Sequence, residues 1–181
     1  PGFLTSATGP IMFGLDGMNQ AAYAAGQPIP NIIGMAFSYS MTIAVLYPAF
    51  ALAVLIFSKS NQLKTVGKIS IAPAFFGISE PLMFGVPVVM NPFMAIPWII
   101  SPTVNVLLGW LACSSGLVAR YAGVTVFNFP MGVTGILNGS FTIAILEVVV
   151  CIIDVLIFMP FVRIQDKKYI DAEKAAETEQ N

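Results

Sequence analysis

The chain has 181 residues, of which 57% are hydrophobic and only 9% charged, with a formal net charge of −1 and a mean hydropathy of +0.84. Ordinary soluble domains carry about a quarter charged residues, so this body is built for lipid and not for nucleic acid or an acidic partner. Histidine is absent, and Cys113 and Cys151 lie inside apolar runs without metal-ligand spacing. That excludes a zinc site and a Ser/His or Cys/His catalytic pair within the chain, and no cofactor is implied.

In chain order, residues 1–30 read as a polar, broken segment, punctuated by Gly9-Pro10 and Gly26-Gln27-Pro28. The start Pro1-Gly2-Phe3 has neither a methionine nor a basic flank, so a fragment lacking its N-terminal part is expected. A first span is predicted over Asn31–Ser58, uncharged, with a kink at Pro48. Lys59–Lys68 reads as a short basic connector. Residues 69–92 are apolar but contain Pro73, Gly77, Pro81, Gly85, Pro87 and Pro92. Breakers at that density do not suit an uninterrupted span. They predict a re-entrant hairpin of two short helical arms with its tip near Glu80.

A second span is predicted over Phe93–Ser114. Residues 115–140 are interrupted by Gly116, Gly123, Pro130, Gly132, Gly135 and Gly139, and form either a loop packed on protein or part of a substrate path. The third span is predicted over Phe141–Val162, ending at Pro160. It carries Glu147 and Asp154, seven apart and so on one helix face. Carboxylates at bilayer depth are costly, so both should face protein or a polar cavity. Residues 163–181 hold most of the remaining charge and read as a solvated helix or a disordered end.

The fold class is therefore an all-α integral membrane protein. About three transmembrane helices and a re-entrant hairpin fill the membrane-embedded region 31–162. Lys59, Lys64 and Lys68 follow the first span, and Arg163, Lys167 and Lys168 follow the third. Positive loops prefer the cytoplasm, which places both clusters and the C-terminal tail 163–181 on the cytoplasmic side.

Glu80 is the only charge between Lys68 and Arg120, on backbone that is not a regular span. One reading is a carboxylate that caps a hairpin arm, since the helix dipole stabilises acids at an N-terminus. The other is an acceptor or base for a hydroxylated ligand. Asn91 and Asn105 are amides in apolar runs, able either to bind a sugar hydroxyl or to satisfy broken backbone; Asn19 and Asn128 are weaker candidates. Trp98, Trp110, Phe127 and Phe129 could stack on sugar rings, though packing or interfacial anchoring is the commoner role.

Gly77-Ile78-Ser79-Glu80-Pro81, followed by Phe84-Gly85-Val86-Pro87 and Asn91-Pro92, resembles the membrane-embedded enzyme IIC (EIIC) component of the bacterial phosphotransferase system. The similarity is to its lactose/cellobiose/diacetylchitobiose branch. Asn19-Gln20-Ala21-Ala22-Tyr23, Lys59-Ser60, Lys68-Ile69-Ser70-Ile71 and Pro130 with Gly132 add to it, so the likeness runs from about Asp16 to Asp166. The resemblance implies a multi-pass sugar permease of the bacterial plasma membrane that acts as a homodimer. Such a permease binds a disaccharide and presents its 6-hydroxyl to a phosphocysteine on EIIB, with EIIA and HPr upstream. It implies that Glu80 contacts that hydroxyl; Ser79, Asn91, Asn105 and Asn19 are the further substrate-binding candidates. Ser79 stands where the family usually has Asn, a departure that bears on the hairpin tip or the sugar preference. The family's active-site histidine lies upstream, so the resemblance implies that the chain is the C-terminal portion of a larger transporter, inactive alone. The competing classes are an ion-coupled secondary transporter using Glu147 and Asp154, and a non-catalytic membrane scaffold in which Glu80 is dispensable.

Overall fold

The computed structural model describes residues 2–88 and 91–179, and all regular structure among them is helical. Three stretches are long and apolar enough to cross a membrane: Met35–Phe57, Pro92–Ser114 and Phe141–Ala175. They coincide with the three predicted spans, although the elements within and between them differ from the sequence reading in four places.

The first difference is at the start. Gly9-Pro10 is not a break: α1 runs over Gly2–Ala24 and continues through Pro10, whereas the interruption at Gly26-Gln27-Pro28 is found. Gly9 has no Cβ to meet the Pro10 ring, which removes one of the obstacles a proline sets to a helix, beside the N–H it cannot donate and the crowded carbonyl four residues back. The helix stops at Gly26, at φ +65°. There Gly26 N–H donates to Tyr23 O and Gln27 N–H to Ala22 O, the paired bonds of a Schellman cap.

The second difference is in the first span. Its irregularity is a π-helix, η1 (Ser40–Ala44), between α2 (Met35–Tyr39) and α3 (Leu46–Phe57). Pro48 causes it from a distance. A proline has no N–H to give to the carbonyl four residues back, here that of Ala44, and its ring pushes against that carbonyl. The turn preceding the proline widens, and the α-helical bond from Ala49 N–H to Val45 O then resumes.

Third, the basic stretch is mostly helix. Ser60 N-caps α4 (Asn61–Phe75), its Oγ accepting from Leu63 N–H at 3.3 Å. Lys64 and Lys68 therefore sit on the first arm of the hairpin. Gly77, at φ +74°, ends that arm, and α5 (Glu80–Gly85) follows with Pro81 in its first turn. Fifteen residues make a helix of about 22 Å, short of the roughly 30 Å hydrocarbon core, and α5 is shorter still. Two glycines let the hairpin pack. A Cβ on Gly67 would lie 3.2 Å from the Leu55 backbone, and one on Gly85 would lie 2.6 Å from Val66 Cγ1.

Helix α6 (Pro92–Ser114) is N-capped by Asn91, and the short α7 (Val133–Leu137) follows a long loop. The fourth difference is α8, one helix over Phe141–Glu179 that passes through Pro160. Packing overrides the lost hydrogen bond. Phe158 sits in an aromatic cluster with Phe50 and Trp98, and Phe161 stacks on Phe93, so both sides of the proline are held in line. Beyond it, Asp166 accepts from the N–H groups of Lys59 and Ser60, and Glu173 from those of Asn61 and Gln62. Those of Ser60, Asn61 and Gln62 are orphan donors at the start of α4. The tail is thus a strap on the α3–α4 junction. Cys113 and Cys151 are buried and unbridged.

Gly135 of α7 abuts α8, where an added Cβ would lie 2.5 Å from Ala144 N, whereas one on Gly14 of α1 would meet nothing within 4 Å. Gly135→Val is expected to lose about 3 kcal/mol through backbone overlap. Gly14→Ala should keep or gain up to about 1 kcal/mol. Thermal unfolding of the two variants in detergent checks the contrast.

Candidate functional site

Four sets of polar groups lie in this apolar body, and three of them are internally satisfied to different degrees. The deepest surrounds Glu147, which is fully buried. Its Oε1 accepts from Ser40 Oγ at 2.6 Å and from Thr134 Oγ1 at 2.7 Å, and its Oε2 from the Gly132 N–H. Ser40 has a single hydroxyl proton and gives it to Glu147. The 2.9 Å contact between Ser40 Oγ and Tyr121 OH is therefore donated by the tyrosine. Burial, and then the nearby Glu147, push the Tyr121 phenol upward, which keeps that donor protonated. The network joins η1, α7, α8 and the loop between α6 and α7.

One helical stretch further along, Asp154 is also fully buried. Asn105 Nδ2 donates to Asp154 Oδ2 at 2.7 Å and to the Met41 carbonyl at 3.0 Å. Asp154 Oδ1, Asn105 Oδ1 and Ser101 Oγ have no hydrogen-bond partner. The two carboxylates of the third span thus face protein, as their spacing predicted, and both grip the π-helix: Glu147 through Ser40, Asp154 through Asn105 and the Met41 carbonyl.

The third set is gathered by α1. Asn19 Nδ2 donates to the Asn31 and Tyr121 carbonyls, and its Oδ1 accepts from Asn31 N–H. Asp16 accepts from Ala36 N–H at 2.8 Å and Thr125 Oγ1 at 2.6 Å, and Gln20 donates to the Gly123 carbonyl. Gly123, at φ +87°, allows this approach; a Cβ there would lie 2.4 Å from the Asp16 carbonyl. On the loop's other side Asn138 pairs with both backbone groups of Val124. The stretch 115–132 is therefore a packed loop, clamped from both sides.

The fourth set is the hairpin tip. Glu80 is exposed, opens α5, and has no hydrogen-bond or ion-pair partner among the described residues. Ser79 occupies the N-cap position without making a side-chain cap bond. The tip docks through Gly77, where a Cβ would lie 2.9 Å from Tyr39 OH and 3.5 Å from Asn128 Oδ1. Tyr39 OH accepts from Asn128 N–H at 2.8 Å, and its ring meets Phe127 edge to face. Phe127 and Phe129 are exposed beside this junction, and Asn128 adopts φ +59°.

Of the sequence candidates, Glu80 and Ser79 sit together with unengaged side chains. Asn91, by contrast, caps α6, accepting from Phe93 N–H and donating to Gln165 Oε1. Asn19 and Asn105 are buried in their own networks, and Trp98 is packed against Tyr47 and Phe50. Sequence reasoning missed Ser40, Tyr121, Thr134 and Asn138. Each is an ordinary polar residue whose role depends on a partner distant in sequence. The isolation of Asp16 in an apolar stretch was the one available signal for the α1 cluster.

The model of the family "Phosphotransferase system, EIIC" matches residues 3–102. The chain belongs to that family. It is 36% identical over 177 residues to the oligo-beta-mannoside-specific EIIC component of Bacillus subtilis (strain 168), covering 94% of this chain and 40% of that protein. It is 33% identical over 187 residues to the lactose-specific EIICB component of Lacticaseibacillus casei, covering 98% of this chain and 32% of that one. Among solved structures it superposes on ChbC, the IIC component of the N,N′-diacetylchitobiose-specific phosphotransferase system. The TM-score is 0.89 at 36% identity, over 94% of this chain and 41% of ChbC. The chain thus spans well under half the length of these relatives.

The two membrane carboxylates should respond differently to neutral amides. Glu147→Gln sets an NH₂ against either the Gly132 N–H or the Ser40 and Thr134 hydroxyls, and should cost about 1–3 kcal/mol. Asp154→Asn keeps the acceptor for Asn105 and places its NH₂ where Oδ1 now lacks a partner, so it should stay within about 0.5 kcal/mol of the parent. Unfolding of both in detergent decides between these outcomes.

Proposed function

We propose that the chain is the C-terminal part of a sugar-specific EIIC permease, one that translocates a disaccharide such as cellobiose, lactose or diacetylchitobiose for phosphorylation by EIIB. In this reading Glu80 accepts a hydrogen bond from the sugar hydroxyl that attacks the EIIB phosphocysteine. The observation that carries it is the contrast among the carboxylates. Glu147, Asp16 and Asp166 are engaged by donors on their own chain, whereas Glu80 stands exposed and unpartnered at a docked hairpin tip. A ligand hydroxyl supplies the donor that such a carboxylate lacks. Ser79 lies beside it, and Phe127 and Phe129 offer exposed ring faces near the same junction. Family membership supports the transport role. The basic clusters after the first and third spans support a plasma-membrane protein with a cytoplasmic C-terminus. A homodimer, with phosphorylated EIIB as the transient partner, is the assembly proposed for the full-length permease.

The rival reading, an ion-coupled transporter, places a cation between Glu147 and Asp154. Each is instead engaged by separate partners, and no group of three or more acidic, cysteine or histidine residues converges among the described residues. Dependence of uptake on phosphoenolpyruvate separates the two.

The test of the site is Glu80→Gln in the intact transporter. Sugar phosphorylation is expected to fall about 10²–10³-fold, equivalent to roughly 3–4 kcal/mol of transition-state stabilisation. Sugar binding should weaken much less, because the charge matters most as the hydroxyl becomes a nucleophile. Unchanged phosphorylation would remove Glu80 from the chemistry. Because Glu80 has no partner in the fold, the thermal unfolding midpoint should not move.

A further inference from the structure

Where α3 ends against α8, a cavity of about 450 Å³ opens beside three cationic side chains, Lys59, Arg163 and Lys167. It lies at the end of the Met35–Phe57 span, far in sequence from the hairpin tip. None of the three cations is in an ion pair among the described residues. The one acid at the site, Asp166, accepts from the N–H groups of Lys59 and Ser60 at 2.8 and 2.9 Å; it offsets part of the positive charge but forms an ion pair with none of the three cations. The Arg163 guanidinium lies over the Phe57 ring, 5.2 Å from its centroid. That contact positions the charge while leaving its N–H edge available. The remaining wall is apolar, formed by Ile56, Phe57 and Ile170, and Ile56 is largely exposed.

We propose that this cavity binds a phosphate ester, with Lys59, Arg163 and Lys167 holding the phosphate oxygens. The lining sets three cations against one acid, an excess of two positive charges that favours an anion. The planar fork of Arg163 suits two phosphate oxygens at once, and the two lysines act as point charges. The apolar wall at the end of a span favours an amphiphile, whose acyl chains would run down past Ile56 while its headgroup meets the cations. Basic pockets between membrane helices at headgroup level bind anionic lipid in this way. The site is independent of the sugar chemistry proposed for Glu80.

The experiment is native mass spectrometry of the protein released from detergent doped with equal phosphatidylglycerol and phosphatidylcholine, with thermal unfolding in each lipid. A second arm uses millimolar inorganic phosphate without lipid. The parent should retain phosphatidylglycerol about tenfold over phosphatidylcholine, and Lys59→Gln/Arg163→Gln/Lys167→Gln should bring that ratio close to one. Lys64→Gln/Lys68→Gln removes basic residues that do not line the cavity, and should keep the preference. Lys59→Arg/Lys167→Arg, which retains the charge, should keep it too and guards against a folding artefact. Stabilisation by inorganic phosphate alone, lost in the triple variant, would assign the cavity to a free phosphate ester and not a lipid. An equal preference in parent and triple variant, together with no response to phosphate, overturns the site.

Discussion

Four carboxylates of α8 hold this chain together. Glu147 and Asp154 reach the π-helix inside the membrane region, and Asp166 and Glu173 reach the start of α4 outside it. Each pair is spaced by seven residues, so each presents one face to one neighbour. In an apolar body, hydrophobic contact alone does not distinguish one helix register from another. A buried carboxylate with fixed donors does, because any slip leaves it unsatisfied at a cost of several kcal/mol. The register of the first span, the position of α4 and the end of the 115–132 loop at Gly132 follow from where these acids find their donors.

Against that frame the hairpin tip is the exception. Its backbone is fixed by Gly77 against Tyr39 and by Gly85 against Val66, yet the side chains of Ser79 and Glu80 are left unused. The contrast between spent and unspent polar groups separates residues that make the fold from residues available to a ligand. By that criterion Asn19 and Asn91 belong to the fold, and Asn105 serves mainly to tie α6 to Asp154 and η1.

The spans were legible because twenty apolar residues in sequence have few other uses, and the inward rotation of α8 followed from the seven-residue spacing of its acids. The hairpin was legible from breaker density. What could not be read were effects that depend on tertiary partners. Pro160 looks like a stop, and only the aromatic stacking of Phe158 and Phe161 carries the helix past it. Gly9-Pro10 looks like a break, yet α1 runs through it, with glycine relieving the clash against the preceding residue. Pro48 was recognised as a disturbance, but its consequence falls upstream, on the carbonyl it cannot serve. Of the α1 cluster only the isolated charge of Asp16 gave a sign, because Asp16 and Asn19 meet residues more than a hundred positions away.

The widened turn of η1 has one mechanical consequence. Tyr39 and Ser40 share a peptide bond, and they point to different places: the tyrosine hydroxyl sits under the hairpin tip, and the serine hydroxyl lies on Glu147. A load applied at the tip is therefore transmitted through a single peptide unit to the anchor of α8. That unit stands at the entry to a turn already looser than an ordinary α-helix. The widened turn of the span is thus placed in series between the hairpin tip that carries Glu80 and the buried Glu147.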